Sequence, residues 1–114
     1  MARAASRVYG PAVIATGPTT VYTVPASTTF VIRYIHLSNP SAAPVTFTMS
    51  IGADAAGTRI YSTYSVPANA AGVTDSVRPI WMYEPVAAAE IITLSAGTNN
   101  ILVITIAGDL LTVG

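Results

Sequence analysis

The stretch Val45–Ile51, with the sequence VTFTMSI, decides the fold class of this chain. Its apolar side chains occupy every second position and alternate with threonine or serine. Successive side chains of a β-strand point to opposite faces, so this pattern predicts a strand with one face in a core and the other in water. Such a strand is typical of an antiparallel sheet that is covered on one side.

Short β-branched and aromatic segments, separated by proline, glycine and asparagine, lie on both sides of this strand. The predicted strands are Thr19–Val24, Thr28–Ser38, Val45–Ile51, Thr58–Val66, Val73–Trp81, a hairpin of Glu90–Leu94 with Ile101–Ile106, and a closing strand Leu110–Val113. No segment carries a convincing helical stripe. Regularly spaced short strands of this kind predict an all-β, antiparallel β-sandwich, either Ig-like or jelly-roll-like.

Three segments of the predicted sandwich are less regular. Pro79 interrupts its strand, which indicates an edge position, because proline cannot donate to a strand ladder. Residues Met82–Ala89 contain Pro85 and a run of alanines, and we expect a connection with at most one helical turn. Ala107–Asp109 is expected to be a turn. The nearly continuous apolar run Ile101–Ile106 predicts a strand that is buried on both faces, either inside the sandwich or against another subunit.

Residues 1–18 are expected to form an extended N-terminal arm, followed by one sandwich domain over residues 19–114. The arm is rich in alanine, glycine and proline and has little hydrophobic patterning. Two interpretations stay open for it. Termini of this kind are often disordered in isolation, and an extended segment can also lie on a neighbouring subunit as an added strand.

The composition excludes several classes of function. Charged residues make up 9% of the chain, against about 25% in a typical soluble domain, and five basic residues balance five acidic ones. A chain so poor in basic residues cannot supply a large phosphate-binding patch, so we expect no nucleic-acid partner. No apolar stretch approaches the length that spans a membrane, and the absence of cysteine excludes disulfides and thiolate sites. A surface with so little charge is either an ordinary neutral, threonine-rich surface of a β-protein or one that neighbouring molecules cover, and we favour the second interpretation.

Catalytic machinery is not recognisable in the chain, so we predict that it is not an enzyme. His36 is the only histidine and stands near no nucleophile motif. The five carboxylates show no spacing that indicates a glycosidase pair or a calcium loop. We expect no catalytic residues, no metal site and no cofactor.

The largest cluster of apolar and aromatic residues is Trp81-Met82-Tyr83. If buried, the cluster belongs to the core. If exposed, it forms an interaction hot spot or a platform on which a sugar stacks, because tryptophan, tyrosine and arginine dominate interface energetics. The candidate interface residues are Arg3, Arg7, Trp81, Met82 and Tyr83.

The stretch Val21-Tyr22-Thr23-Val24-Pro25-Ala26, with Thr29, Val31-Ile32-Arg33-Tyr34-Ile35 and Ser38-Asn39, resembles small virion proteins of tailed bacteriophages. The resemblance covers most of the chain after residue 18. It implies a β-sandwich component of a phage particle, either a decoration (cement) protein on the capsid or a minor tail or fibre component. A glycan- or receptor-binding module is the alternative.

The resemblance also implies partners and a location. The expected partners are other copies of the chain, as a homo-oligomer and preferably a trimer, and virion proteins such as the major capsid protein. The expected location is the virion, after synthesis in the host cytoplasm, because residues 1–20 contain no apolar run long enough for a signal peptide.

Overall fold

The computed structural model describes the backbone of residues 2–68 and 77–112, and the side chains of residues 4–68 and 79–112. It is built from β-strands. Their bounds are β1 (Ala2–Val13), β2 (Thr19–Thr23), β3 (Thr28–Ser38), β4 (Val45–Ile51), β5 (Arg59–Val66), β6 (Val77–Val86), β7 (Ile91–Ala96) and β8 (Val103–Thr112). No described helix is long and apolar enough to cross a membrane.

The eight strands form two four-stranded antiparallel sheets. The first sheet has the order β1-β8-β3-β6 and the second has the order β2-β7-β4-β5. Consecutive described strands lie in different sheets at every step except β4 to β5, which are neighbours in the second sheet. This is the strand order of a jelly roll. It confirms the predicted antiparallel sandwich and shows that the sandwich is jelly-roll-like and not Ig-like.

The hydrophobic core lies between the inner faces of the two sheets. In β4, Val45, Phe47 and Met49 are buried, as their alternation predicted. From the first sheet, β3 and β8 supply core residues that are fully buried, namely Phe30, Ile32, Ile35, Leu37, Ile104 and Ile106. Burial of each such side chain stabilises the fold by about 1.5–3 kcal/mol relative to exposure. The core therefore fixes which face of each strand points outward.

The strand β6 differs from its predicted bounds. We expected a strand over Val73–Trp81 and a connection over Met82–Ala89, but β6 continues through Met82 to Val86. It is an edge strand of the first sheet, as Pro79 indicated. On the outer side of an edge strand, a missing N–H costs no ladder hydrogen bond, so Pro85 does not end the strand. The predicted residues Val73–Ser76 lie outside the described residues.

Two further predictions near the C-terminus are wrong. The strands β7 and β8 do not form a hairpin, because they belong to different sheets. The predicted turn at Ala107–Asp109 is part of the continuous strand β8, and the predicted closing strand Leu110–Val113 is its end, with Val113 outside the described residues. Within the sandwich, the run Ile101–Ile106 is not buried on both faces, since Val103 and Thr105 are only half-buried. Burial of its outer face against another subunit stays a prediction.

The segment that we expected to be an arm contains a strand of the first sheet. Residues Ala2–Val13 pair antiparallel with β8 of the same chain, and Tyr9 packs against the core. In this structure the segment is thus an extended edge strand. The division of the chain at residue 18 stays a prediction.

One buried polar residue ties the loop after β3 to the second sheet. The Asn39 side chain is 1% exposed, and its amide donates to the carbonyl oxygens of Ala43 at 2.9 Å and Val66 at 3.1 Å. Its carbonyl oxygen accepts hydrogen bonds from the backbone N–H and the hydroxyl of Ser41. Because both the NH₂ group and the carbonyl oxygen of this buried amide are hydrogen-bonded, it fixes the loop without leaving a buried polar group unpaired.

Gly108 generates a stability prediction, because β8 passes so close to β3 that a Cβ atom at residue 108 would overlap the carbonyl oxygen of Val31. The same Cβ would lie 3.0 Å from Cε1 of Phe30. We expect Gly108→Ala to lower the free energy of unfolding by about 1–3 kcal/mol, the usual cost of overpacking.

The measurement is denaturant unfolding followed by circular dichroism. Gly57→Ala is the matched control, since a Cβ at residue 57 meets nothing within 4 Å. Equal stability of the two variants would contradict the close approach of β8 to β3.

Candidate interaction surface

The strand register places residues from four strands in one row on the outer face of the first sheet. Arg7 pairs with Ala107, Ala107 also pairs with Tyr34, and Tyr34 pairs with Trp81. Directly paired residues of neighbouring strands share a face. Arg7 and Trp81 therefore lie on the same face, at its opposite edges.

Aromatic side chains stand exposed on the β6 side of this face. Trp81 is 76% exposed and Tyr83 is 69% exposed, values unusual for rings of this size. The ring of Tyr34 lies 4.4 Å from that of Trp81, centroid to centroid, with the planes tilted by 40°. Large exposed apolar groups that lie together mark binding surfaces more often than isolated ones do.

Arg33 connects these rings to the middle of the sheet. It lies where the register of β3 shifts against both neighbouring strands. Its guanidinium carbon is 5.6 Å from the centroid of the Tyr83 ring, within the range of a cation–π contact. One guanidinium nitrogen is 3.4 Å from a carboxylate oxygen of Asp109. This interaction holds the charge beside the aromatic ring.

A shallow cleft of about 100 Å³, open to solvent, lies beside Arg33. We call the outer face of the first sheet the aromatic face. Five of its residues line the cleft, and the face includes Arg7, Val31, Arg33, Tyr34, Trp81, Tyr83, Asp109 and Leu111. The aromatic face thus combines exposed rings, guanidinium groups and a concavity.

The structure separates the residues that the sequence grouped as a candidate interface. Trp81 and Tyr83 point outward, whereas Met82 points inward and packs against the core, because neighbouring strand residues alternate. Arg7 is exposed on the same face as Trp81. The backbone of Arg3 pairs with Leu111, and its side chain lies outside the described residues.

Sequence reasoning missed Arg33 and Tyr34 as members of this surface. Both lie in the motif that carries the phage resemblance, but they are far from Trp81 along the chain. Only the pairing of β3 with β6 brings Tyr34 beside Trp81. The sole available signal was the interruption of the apolar alternation at Arg33-Tyr34 within β3.

The outer face of the second sheet has a different chemistry. Its paired positions carry hydroxyl groups, in the pairs Thr46 with Ser65, Thr48 with Ser95 and Ser50 with Thr93. At one end, Arg59 donates to both carboxylate oxygens of Asp54, at 2.9 and 3.1 Å. Among the described residues, the exposed aromatic rings of Trp81 and Tyr83 thus distinguish the first sheet from the second.

The described side chains assemble no metal site, since no group of three histidine, aspartate or glutamate residues among them is close enough to hold an ion. The His36 ring lies 6.2 Å from that of Tyr34, centroid to centroid, beside the aromatic face. Half-buried on the sheet surface and next to an aromatic ring, it has the setting of a packing residue.

The opposite orientations of Trp81 and Met82 generate a stability prediction. Trp81→Ala removes an exposed ring and one stacking contact, so we expect it to change the free energy of unfolding by at most about 1 kcal/mol. Met82→Ala removes packing against the core, and we expect a loss of about 2 kcal/mol. Urea unfolding of the two variants followed by circular dichroism measures both. A larger loss for Trp81→Ala would mean that its ring is buried.

The ion pair at Asp54 generates a pH prediction. The hydrogen bond from Arg59 holds the pKa of Asp54 below its usual value, with smaller help from the charge of Arg59 and the hydroxyl of Ser50. A carboxyl whose pKa is lower in the folded state stabilises the fold above its unfolded pKa. That contribution is lost as the pH falls through the lower folded-state pKa.

Asp54→Asn should therefore be less stable than the unmodified chain near neutral pH. This difference in stability, called the gap, should disappear under acidic conditions below about pH 4. Thermal melts across the pH range measure the gap. A gap that is independent of pH would contradict an ionised Asp54 paired with Arg59.

Comparisons with known proteins give weak structural neighbours only. No protein-family model matches the chain, and no curated protein matches its sequence. A solved structure described as "Structure of infectious bursal disease virus Gx strain" is 9% identical with a TM-score of 0.40, over 95% of this chain and 29% of that one. A VP2 subviral particle of the same virus is 10% identical with a TM-score of 0.37, over 96% and 31% of the two chains. The Gt strain structure is 19% identical with a TM-score of 0.29, over 96% and 29%. The chain spans less than a third of each of these neighbours.

Proposed function

We propose that this chain is a non-enzymatic structural protein of a bacteriophage particle, and specifically a decoration protein on the capsid exterior. The observation that carries the proposal is the aromatic face. Trp81 and Tyr83 stand 76% and 69% exposed beside Arg33, on a chain in which only 9% of residues are charged. Tryptophan, tyrosine and arginine supply most of the binding energy at protein interfaces. A surface of this kind favours permanent coverage by a neighbour.

The fold supports the same proposal in a general way. Jelly rolls recur in viral capsid domains and in lectins, and a fold alone does not determine a function. The phage-like motif adds a specific link, since its residues Arg33 and Tyr34 lie on the aromatic face. The stretch that carries the resemblance is thus also part of the candidate docking surface.

The size of the aromatic face sets how many neighbours are needed. Four strands of about ten residues make a face of about 33 by 19 Å, or roughly 600 Å². A stable interface buries about 800 Å² on each partner. One face is therefore slightly too small by itself, and we expect the chain to contact the major capsid protein and further copies of itself, with a trimer as the preferred assembly.

A glycan- or receptor-binding module of a tail or fibre is the second candidate, and one observation favours it. The cleft beside Arg33 has an aromatic ring at its rim and an arginine–aspartate pair at 3.4 Å. Ligand sites combine apolar walls with a few polar groups, although at about 100 Å³ this cleft is smaller than a typical ligand pocket. A sugar ring would therefore stack on the exposed Tyr83 ring at the rim and would not enter the cleft.

The first test is the copy number of the chain in purified particles, measured by quantitative mass spectrometry against the major capsid protein. A copy number of the same order as that of the capsid protein is expected for decoration. A few copies per particle would favour the tail or fibre, and absence from particles would overturn the virion proposal.

A second test asks whether the aromatic face is the docking surface. Particles that lack the chain are incubated with the purified unmodified chain, with Trp81→Ala or with Ser65→Ala, and bound protein is quantified. Loss of an interface hot spot costs at least about 2 kcal/mol, so we expect Trp81→Ala to bind at least about thirtyfold more weakly.

Ser65→Ala is the matched control, because Ser65 is exposed on the outer face of the second sheet and pairs with Thr46. It should bind as the unmodified chain does. Equal binding of Trp81→Ala would contradict docking through the aromatic face. Loss of binding to a glycan array on Trp81→Ala, with particle binding intact, would favour the second candidate.

A further inference from the structure

The edge strand β1 is attached to the rest of the first sheet through one neighbour. It pairs with β8 from Ala2 to Val13, and in the described sheet order no strand lies on its other side. The two halves of β1 are attached in different ways. This difference determines which part of the strand can leave β8 without disturbing the core.

The chain that follows β1 is firmly anchored. Ile14 is 3% exposed, and its N–H donates to the carbonyl oxygen of Leu102 at 3.0 Å while its own carbonyl accepts from Asn100 at 2.9 Å. The carbonyl oxygen of Ala15 accepts a hydrogen bond from Ala96 at 3.0 Å. This end of the segment is therefore held by both a buried side chain and main-chain bonds.

Among the side chains that the structure describes, those in the first half of β1 contribute little, and the backbone makes most of the contact. Residues Ala2–Arg7 pair in unbroken register with residues Ala107–Thr112. Ala4, Ala5 and Arg7 are exposed, so these side chains bury little surface on the sandwich. Main-chain hydrogen bonds do not depend on side-chain identity, and an equivalent strand from another copy would form the same bonds.

The two halves are joined by an irregular segment. The register of β1 against β8 shifts between Arg7 and Tyr9 and again between Tyr9 and Ala12. Gly10 lies between these shifts with a φ of +84°, a conformation that glycine adopts without strain. Breaks in strand register bend and twist a strand locally. The register break after Arg7, which we call the pivot, thus separates the first half of β1 from Val8 and Tyr9, which pack against the core.

We propose that residues Ala2–Arg7 exchange between copies of this chain, so that the segment of one copy pairs with residues Ala107–Thr112 of another. Exchange replaces every intramolecular bond with an identical intermolecular bond, as in domain swapping. Six extended residues reach about 20 Å from the pivot. The net charge of the chain is zero, so no long-range repulsion opposes close approach of two copies.

Exchange goes beyond the proposed function, because it links copies to one another and does not require a capsid. It also supplies contact area that the aromatic face alone lacks. On a particle surface, neighbouring copies would be held at a high effective concentration, which favours the intermolecular pairing.

The test uses engineered cysteines, since the chain has none of its own. Ala4 and Leu110 are paired in the register of β1 with β8. Paired residues of antiparallel strands have Cα atoms about 4.5–5.5 Å apart, which is compatible with a disulfide. Ala4→Cys and Leu110→Cys are made as single variants, mixed, incubated and oxidised, and the products are separated without reductant and identified by mass spectrometry.

Exchange predicts a covalent heterodimer that joins Cys at position 4 of one copy to Cys at position 110 of the other. The control mixture replaces Ala4→Cys by Ala87→Cys, because Ala87 is exposed in the connection after β6 and pairs with no strand. We expect the control mixture to give at least about tenfold less heterodimer, because no pairing holds its two thiols within disulfide distance.

Three results would overturn the proposal. The first is equal yield from the control mixture, which would indicate random collision. The second is a purely intrachain disulfide in the Ala4→Cys, Leu110→Cys double variant together with no heterodimer from the mixed single variants. The third is independent of cysteine geometry: a monomer mass for the unmodified chain by light scattering at every concentration tested. Exchange in solution would stand even if the chain were absent from particles, so the two proposals fail separately.

Discussion

The packing of β3 against the second sheet is the interaction on which the rest of the structure depends. Its inward residues Phe30, Ile32, Ile35 and Leu37 are fully buried, and β3 is the strand that pairs with both β8 and β6. A slip of one residue in its register would turn this apolar set to solvent. The core thereby dictates that the remaining side chains of β3 point outward and carry the surface chemistry.

Two unlike surfaces result from this one constraint. The outer face of the first sheet carries aromatic rings and guanidinium groups, and Arg33 is held there by Asp109 and the Tyr83 ring. The outer face of the second sheet carries paired serine and threonine hydroxyls. A chain with few charges thus concentrates its strongest binding groups on one side, which is the physical basis of the structural role proposed for it. The first half of β1, which pairs with β8 in unbroken register, lies at the edge of the same sheet.

The accuracy of the sequence analysis differed from strand to strand for physical reasons. The bounds of β3 and β4 were predicted correctly, because both have clear apolar patterns and end at loop-forming residues. The end of β6 was missed because proline was interpreted as a stop, although an edge strand tolerates it. Gly108 was interpreted as a turn, whereas the close approach of Val31 requires a residue without a Cβ atom there.

The sequence by itself determined the fold class, the absence of a recognisable catalytic motif and the local cluster Trp81-Met82-Tyr83, because alternation, composition and adjacency are local properties of a chain. Only the tertiary structure decided the jelly-roll order, the outward position of Trp81 and Tyr83, and the inward position of Met82. It alone placed Tyr34 beside Trp81. These features depend on which strands become neighbours, and that choice is made by burying both sheets against each other at once, which no local segment encodes.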